Sequence, residues 1–178
     1  MRTCAAPCAR LLRCSAAERH AVRQPPLHFA LSANPRRSVP SDRKGHMKKR
    51  ANARFAIKSW DEKPYSEGQD RPKLTRASVT KTYTGDIDGE AQVEYLMMYR
   101  GDGSAAFVGL EQVVGRIGDK TGTFVLQRTG IFEGGQAKES YSVIPGSATG
   151  ALQGLLGDGS SAVGHGMEHP FALSYELS

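Results

Sequence analysis

The pattern that most constrains this chain is a set of three strand-like segments joined by short turns. Residues 93–99, 105–114 and 123–132 are each rich in Val, Tyr, Phe or Met. The first two are joined by Arg-Gly-Asp-Gly at 100–103, and an Asp-Gly pair between two such segments is a strong hairpin signal. Residues 91–132 therefore predict an antiparallel meander.

Similar segments occur on both sides of this meander. Alternating or β-branched-rich residues predict strands at 53–61, 73–84, 90–99, 104–117, 120–133, 136–145, 160–165 and 171–177. Gly109, Gly115 and Gly130 lie inside these strands, where glycine marks a bulge or a bend. Strong curvature and short turns predict an all-β fold, an eight-stranded antiparallel up-and-down barrel, which leaves no strand edge exposed. A two-sheet sandwich is the alternative.

Two segments interrupt the strand pattern. Residues 62–72 are polar and contain two prolines, which predicts a loop. Residues 146–159 contain five glycines, which argues against a regular strand. We expect a single helical turn at 151–152, with Leu155 and Leu156 as an apolar plug.

The basic character of the chain belongs entirely to its N-terminal leader. Residues 1–46 contain nine basic and two acidic residues, a net charge of +7, whereas residues 47–178 contain 15 basic and 16 acidic residues, a net charge of −1. A nearly neutral domain gives no support for a nucleic-acid partner. All three cysteines also lie in the leader. A cysteine-free domain is typical of a reducing compartment, so we expect a cytoplasmic protein.

The leader has two interpretations. Its Arg-rich, acid-poor composition is similar to that of an organellar transit peptide, whereas an upstream start codon would make Met47 the true initiator. Under either interpretation we expect 1–46 to be a disordered extension and 47–178 to be a single barrel domain. No stretch reaches the ~20 apolar residues that span a bilayer, so we expect a soluble protein with no membrane partner.

The sharpest catalytic motif is His-Gly-Met-Glu-His at 165–169, which spells H-x-x-E-H. On a helix, this spacing would place both histidines on one face as zinc ligands. However, Gly166 lies inside the motif, Pro170 follows it, and both flanks are strand-like. We therefore predict a turn here, and expect neither a metal site nor a cofactor.

Three polar residues interrupt otherwise apolar strands. Glu94, Glu111 and Gln127 lie in the segments VEYLMMY, FVGLEQVV and FVLQRTG. Each points either to solvent or into a barrel lumen. A carboxylate among apolar side chains would have a raised pKa and could transfer protons or bind the polar end of a ligand. The aromatic side chains that could line the same lumen, or pack in the core, are Trp60, Tyr95, Tyr99 and Tyr141.

Several runs together resemble a bacterial family of domains of unknown function, DUF3224. The runs are SWDE at 59–62, LTRASV at 74–79, GDI at 85–87, EYLM at 94–97, FVGLE at 107–111, GTFVLQ at 122–127 and PGS at 145–147. The resemblance covers about 50–178 and excludes the leader.

The resemblance implies a barrel similar to that of allene oxide cyclases. Those enzymes hold a hydrophobic epoxide and steer its cyclisation with a buried glutamate, a tyrosine and ordered water, whereas the more distant dirigent proteins guide radical coupling. Related barrels often self-associate, so a homo-oligomer is one alternative, and the oligomeric state stays open. This chain departs from the family pattern at Arg128, Tyr141 and Ala151, where His, Trp and Glu are expected. The departures weaken the case for an enzyme.

Three functions follow from this reasoning. The first is a barrel that binds a small hydrophobic molecule, with Trp60, Glu94, Tyr95, Glu111, Gln127 and Tyr141 as candidate cavity residues. The second is an isomerase or cyclase that acts on a hydrophobic substrate. The third is a packed structural or assembly module without a ligand. The sequence leaves open whether the protein is an enzyme.

Overall fold

The computed structural model describes residues 48–164 and 166–178. The predicted disordered leader lies outside the described residues, as does His165. Within these described residues, eight antiparallel strands close into one barrel in sequence order, which confirms the predicted fold class. The strands are β1 (Lys49–Gly68), β2 (Arg71–Gly85), β3 (Ile87–Tyr99), β4 (Ala105–Ile117), β5 (Lys120–Glu133), β6 (Gln136–Val143), β7 (Leu156–Val163) and β8 (Glu168–Glu176). The ring closes where β1 pairs with β8.

β1 and β2 form a long hairpin where the sequence predicted a loop at 62–72. β1 continues to Gly68 and β2 begins at Arg71, so the loop prediction was wrong. The ladder passes Pro64 because its register shifts between Pro64 and Ser66, and proline is tolerated at such a bulge.

Two mid-strand glycines make room for aromatic rings on the inner face of the barrel. Gly109 lies opposite Tyr95, and Gly130 lies opposite Phe107. A Cβ atom at either glycine would lie 2.5 Å from the facing ring. These glycines therefore hold two rings flat against the wall, a pairing that also stabilises curved sheets.

One end of the barrel is packed with apolar side chains. This is the end with the β2–β3 and β4–β5 turns, and its buried residues include Ile87, Val113, Ile117, Phe124, Leu126 and Leu173. A short 3-10 helix, Gly150–Leu152, covers this end and buries Leu152. The predicted plug is half right, because Leu155 is buried whereas Leu156 begins β7 and is exposed.

The opposite end carries the turns that follow β1, β3, β5 and β7. A smaller cluster, Ala77, Val79, Val93, Tyr95 and Met97, lines the wall there along β2 and β3. It does not fill the lumen, so the barrel is packed at one end and open at the other.

Candidate functional site

A layer of charged and phenolic side chains crosses the middle of the barrel. Its members are Lys81, Tyr83, Glu111, Arg128 and Glu139, which belong to β2, β4, β5 and β6. Each points inward because it has the strand parity of the buried apolar residues beside it. All five are nearly inaccessible to solvent, with relative exposures between 0% and 8%.

Arg128 is the centre of this layer. Its Nη1 donates to Glu139 Oε1 at 2.6 Å, its Nη2 donates to Tyr83 Oη at 2.8 Å, and its Nε forms an ion pair with Glu111. Tyr83 in turn donates to Glu111 Oε1 at 2.7 Å. Rings of Phe55, Tyr141 and Phe171 lie 5.1–5.7 Å from the guanidinium carbon, within the range of cation–π attraction.

Lys81 joins this layer to the open half of the barrel. Its Nζ donates to Tyr95 Oη at 3.1 Å and to Glu111 Oε2 at 3.2 Å, and it lies 4.8 Å from the centre of the Phe55 ring. With Arg128 and Lys81 positive and Glu111 and Glu139 negative, the formal charges of the layer cancel. This balance is what allows so many charges to be buried together.

Burial and these charges shift the protonation of the layer. Burial and the charge of Arg128 lower the pKa of Lys81 to about 8, against the opposing effect of Glu111 and Glu139. Burial alone would raise the pKa of Glu111, but Arg128 and Lys81 outweigh it and hold the pKa below its ordinary value. Burial raises the pKa of Tyr95, so its phenol stays neutral and can donate a hydrogen bond.

A cavity of about 560 Å³ occupies the open half of the barrel above the charged layer. Its walls are mainly apolar, and its polar lining includes Lys81, Glu139 and His169. The apolar and aromatic walls are formed by Phe55, Ile57, Trp60, Tyr95, Met97, Tyr99, Ala105, Phe107, Phe132, Ala137 and Val163. The site is thus an aromatic chamber in which a few titratable groups are concentrated.

Glu62 organises part of the cavity wall. Its carboxylate accepts hydrogen bonds from Trp60 Nε1 at 2.8 Å, Thr75 Oγ1 at 2.7 Å and Tyr99 Oη at 2.8 Å. Trp60 also stacks on Tyr95, with ring centres 6.2 Å apart. The hairpin that replaced the predicted loop therefore fixes the orientation of two aromatic side chains of the cavity.

Four of the six sequence-predicted site residues lie on the inner side of the barrel. Trp60 and Tyr95 line the cavity. Glu111 is fully buried and accepts a hydrogen bond from Lys81. Tyr141 lies in the packed region, where its ring stacks on Phe171 and its hydroxyl donates to the carbonyl oxygen of residue 172 at 3.0 Å.

The structure places the other two, Glu94 and Gln127, on the outer face. Glu94 accepts a hydrogen bond from Arg76 Nε at 2.9 Å, and Gln127 is exposed. Of the two orientations that the sequence allowed for these residues, solvent or lumen, the structure therefore shows the solvent-facing one. Each is adjacent in sequence to an inward residue, Tyr95 or Arg128, and adjacent strand residues face opposite sides of a sheet.

Sequence reasoning missed most of the polar site. The sequence patterns do not point to Lys81, Tyr83 or Glu139. They point to His169 only as part of the H-x-x-E-H motif, and to Arg128 only as a departure from the family pattern. The signal that could have found Lys81 is its parity, since it alternates in phase with Val79. A single charged residue in such a strand is ordinarily assigned to solvent.

The described residues of the H-x-x-E-H motif, 166–169, are not helical. Residues 166–167 connect to β8, and His169 lies within that strand, 5.1 Å from the Phe55 ring between centroids. The first histidine of the motif lies outside the described residues. Within the described chain, no group of three or more His, Cys, Asp or Glu side chains is arranged to hold a metal ion.

Over residues 48–164 and 166–178, no helix has the length and apolarity needed to cross a bilayer.

Comparisons with known proteins agree on a family. A crystal structure of a protein with unknown function from the DUF3224 family of Shewanella oneidensis MR-1 is 28% identical and superimposes with a TM-score of 0.62, covering 74% of this chain and 99% of that one. No curated protein matches the sequence significantly. Residues 51–175 match the family described as a protein of unknown function, DUF3224. The chain therefore belongs to the DUF3224 family.

Proposed function

We propose that the barrel binds a small, largely apolar molecule whose polar group lies against Lys81 and Tyr95. The observation that carries this proposal is the half-empty lumen, a cavity of about 560 Å³ with aromatic walls and a few polar side chains. This volume lies within the ~300–1,000 Å³ range of small-molecule sites, which combine apolar walls with a few polar groups in the same way.

The hydrogen bonding of Lys81 indicates the kind of polar group. An ammonium has three N–H donors. Among the described residues, Tyr95 and Glu111 accept two of them. A third donor on a cavity wall suits a ligand oxygen, and the Tyr95 phenol can donate to the same atom. A carbonyl, ether or hydroxyl oxygen matches these donors without disturbing the charge balance of the layer.

The open lumen favours a binding protein over a packed structural module. A module without a ligand would gain stability by filling this space, because an unfilled apolar cavity forfeits packing interactions. Instead, large rings are held flat against the wall by Gly109 and Gly130, and the space between them is left open.

An isomerase or cyclase is a second candidate, supported by titratable groups at the cavity. Glu139, His169 and Lys81 line the same apolar space as Tyr95. Proton-transfer groups beside a shaped apolar chamber are the components that an isomerisation or an allene oxide cyclase-like reaction requires.

The direct test is native mass spectrometry of the full chain purified from its own host. We expect an added mass that is released on denaturation, and its chemical identity then names the ligand class. Repeated purification without any bound small molecule, together with a negative result in the titration below, would reject the proposal.

A matched pair of variants localises binding to the lumen. Ala137 lines the cavity, whereas Ala162 is exposed on the outer face of β7. With phenylpropanol as the probe in calorimetric titrations, Ala137→Trp should weaken binding by at least about tenfold, or ~1.4 kcal/mol. Ala162→Trp should bind as the wild type does. Equal affinities in both variants would show that the probe does not occupy the lumen.

A further inference from the structure

Lys81 is an amine in an unusual position for a lysine. Its side chain is 3% exposed, yet it forms part of the wall of the cavity. Its closest ring contact is the face of Phe55, and only Tyr95 and Glu111 accept its hydrogen bonds among the described residues.

We propose that Lys81 is a covalent carbonyl-binding residue whose amine condenses with an aldehyde or ketone ligand held in the cavity. This inference rests on the proposed binding function and specifies the class of ligand. A desolvated lysine on an apolar wall is the arrangement in which amines act as nucleophiles toward carbonyl groups.

The condensation is balanced without any further reagent. The ammonium first loses a proton to water that enters through the open end. The lone pair on Nζ then attacks the carbonyl carbon, and the carbonyl oxygen takes a proton to give a carbinolamine. Loss of a second Nζ proton and departure of the protonated hydroxyl as water leave a C=N bond that still carries the third proton. The ammonium and the carbonyl compound thus become a protonated imine and one water molecule, and nothing is oxidised or reduced.

The surrounding groups suit each stage of this chemistry. Glu111 Oε2 lies 3.2 Å from Nζ and would pair with a protonated imine as it pairs with the ammonium. Glu139 and His169 line the same cavity and can pass protons to the oxygen that leaves. Tyr95 can donate to the carbonyl oxygen, which makes the carbonyl carbon more susceptible to attack.

The protonation of Lys81 agrees with this geometry. The groups that face the amine are the cation Arg128, the carboxylates Glu111 and Glu139, and the phenol Tyr95. Burial and Arg128 prevail over the two carboxylates and place the pKa of Lys81 at about 8, so a useful fraction of the amine is free at neutral pH. An exposed lysine with an ordinary pKa is almost entirely protonated there.

Reductive trapping of the full-length wild type tests the inference. The protein is incubated at pH 7.5 with one equivalent of phenylpropanal and sodium cyanoborohydride, and the labelled lysine is located by peptide mass spectrometry. We expect one phenylpropyl group on Lys81, formed at least about tenfold faster than on Lys73, an exposed lysine of the same strand. Labelling confined to exposed lysines, with Lys81 unmodified, would overturn the inference.

Two variants and one inert analogue separate the possible failures. Lys81→Met should abolish the fast label, whereas Lys73→Met should leave it intact. Phenylpropanol has the same body as the aldehyde but cannot form an imine. Binding of the alcohol without trapping of the aldehyde would overturn the covalent step alone. Absence of both would overturn the inference as well, and together with native mass spectra free of any ligand it would also reject the cavity as a binding site.

Discussion

Replacement of Arg128 by Met tests whether the charged layer is a compensated unit. Met is flexible, unbranched and uncharged, so it tolerates the apolar surroundings but cannot pair with a carboxylate. The wild-type guanidinium is 0% exposed and contacts both Glu111 and Glu139. Its removal changes the formal charge of the layer from zero to −1.

The magnitude follows from the contacts that survive. Without Arg128, Glu111 still accepts hydrogen bonds from Lys81 and Tyr83, but Glu139 retains only Ser161, at 3.1 Å, among the described contacts. Removing one partner of a buried ion pair destabilises a protein by about 3–5 kcal/mol. We therefore expect Arg128→Met to lower the free energy of unfolding by about this amount, a large fraction of the ~5–15 kcal/mol of an ordinary domain.

Urea unfolding followed by circular dichroism measures this effect. The set comprises the wild type, Arg128→Met, Glu139→Gln and the double variant, in which Lys81 and Glu111 again balance. We expect the double variant to recover about 2 kcal/mol relative to the sum of the single effects, since the two sites share one interaction. Arg116→Met is the matched control, because Arg116 is half exposed and its pairing with Asp88 should contribute less than about 1 kcal/mol.

Two results would refute this reasoning. An Arg128→Met variant that loses less than about 1 kcal/mol would mean that the layer does not depend on the guanidinium charge. A double variant whose loss equals the sum of the two single losses would mean that Arg128 and Glu139 are not energetically coupled.

Three further predictions concern other parts of the barrel. A Cβ atom at Gly122 would collide with the backbone that covers the packed end, so Gly122→Ala should lower the free energy of unfolding in urea by about 1–3 kcal/mol. Gly101 has open space around it, so Gly101→Ala should not lower the free energy of unfolding in this way. Burial and Arg128 lower the pKa of Lys81 from 10.5 to about 8 in the folded protein, so between these pH values the unfolded chain holds a proton that the folded chain has lost. The free energy of unfolding should therefore rise by about 3 kcal/mol between pH 8 and 10.5 relative to that of Lys81→Met. Equal slopes of unfolding free energy against pH in the two proteins would contradict this. Tyr141→Phe removes a 3.0 Å hydrogen bond to the Ala172 carbonyl and should cost about 1 kcal/mol in the same assay while leaving aldehyde trapping at Lys81 unchanged.

The barrel was predictable because its turns and glycines carry local information. The Gly-Asp-Gly sequence at 101–103 determines one hairpin, and Gly109 and Gly130 mark where the wall receives an aromatic ring. The error at 62–72 has a local cause as well. Two prolines and many polar residues are typical of loops, and the information that rescues Pro64 for the ladder is a bulge.

The site was harder to predict because both faces of β3 and β4 are apolar. Leu96, Val108 and Leu110 point outward and are 49–54% exposed, so alternation alone does not show which face is the inner one. Alternation therefore does not show whether Glu94 or Glu111 faces the lumen, and in the structure only Glu111 lies inside. Tertiary closure of the barrel settles the choice, and no local propensity encodes it.

Arg128 links the departure from the family pattern to the proposed chemistry. Where the resemblance implies a histidine, this chain has a guanidinium whose fork contacts two carboxylates and Tyr83 at once. A neutral imidazole could not balance those charges, so more of the compensation would fall to Lys81, which would then be held as an ammonium. With Arg128 present, the same charge that binds Glu111 repels the proton on Lys81. The substitution that weakens the case for a histidine-based enzyme therefore favours an amine that can react with a carbonyl group.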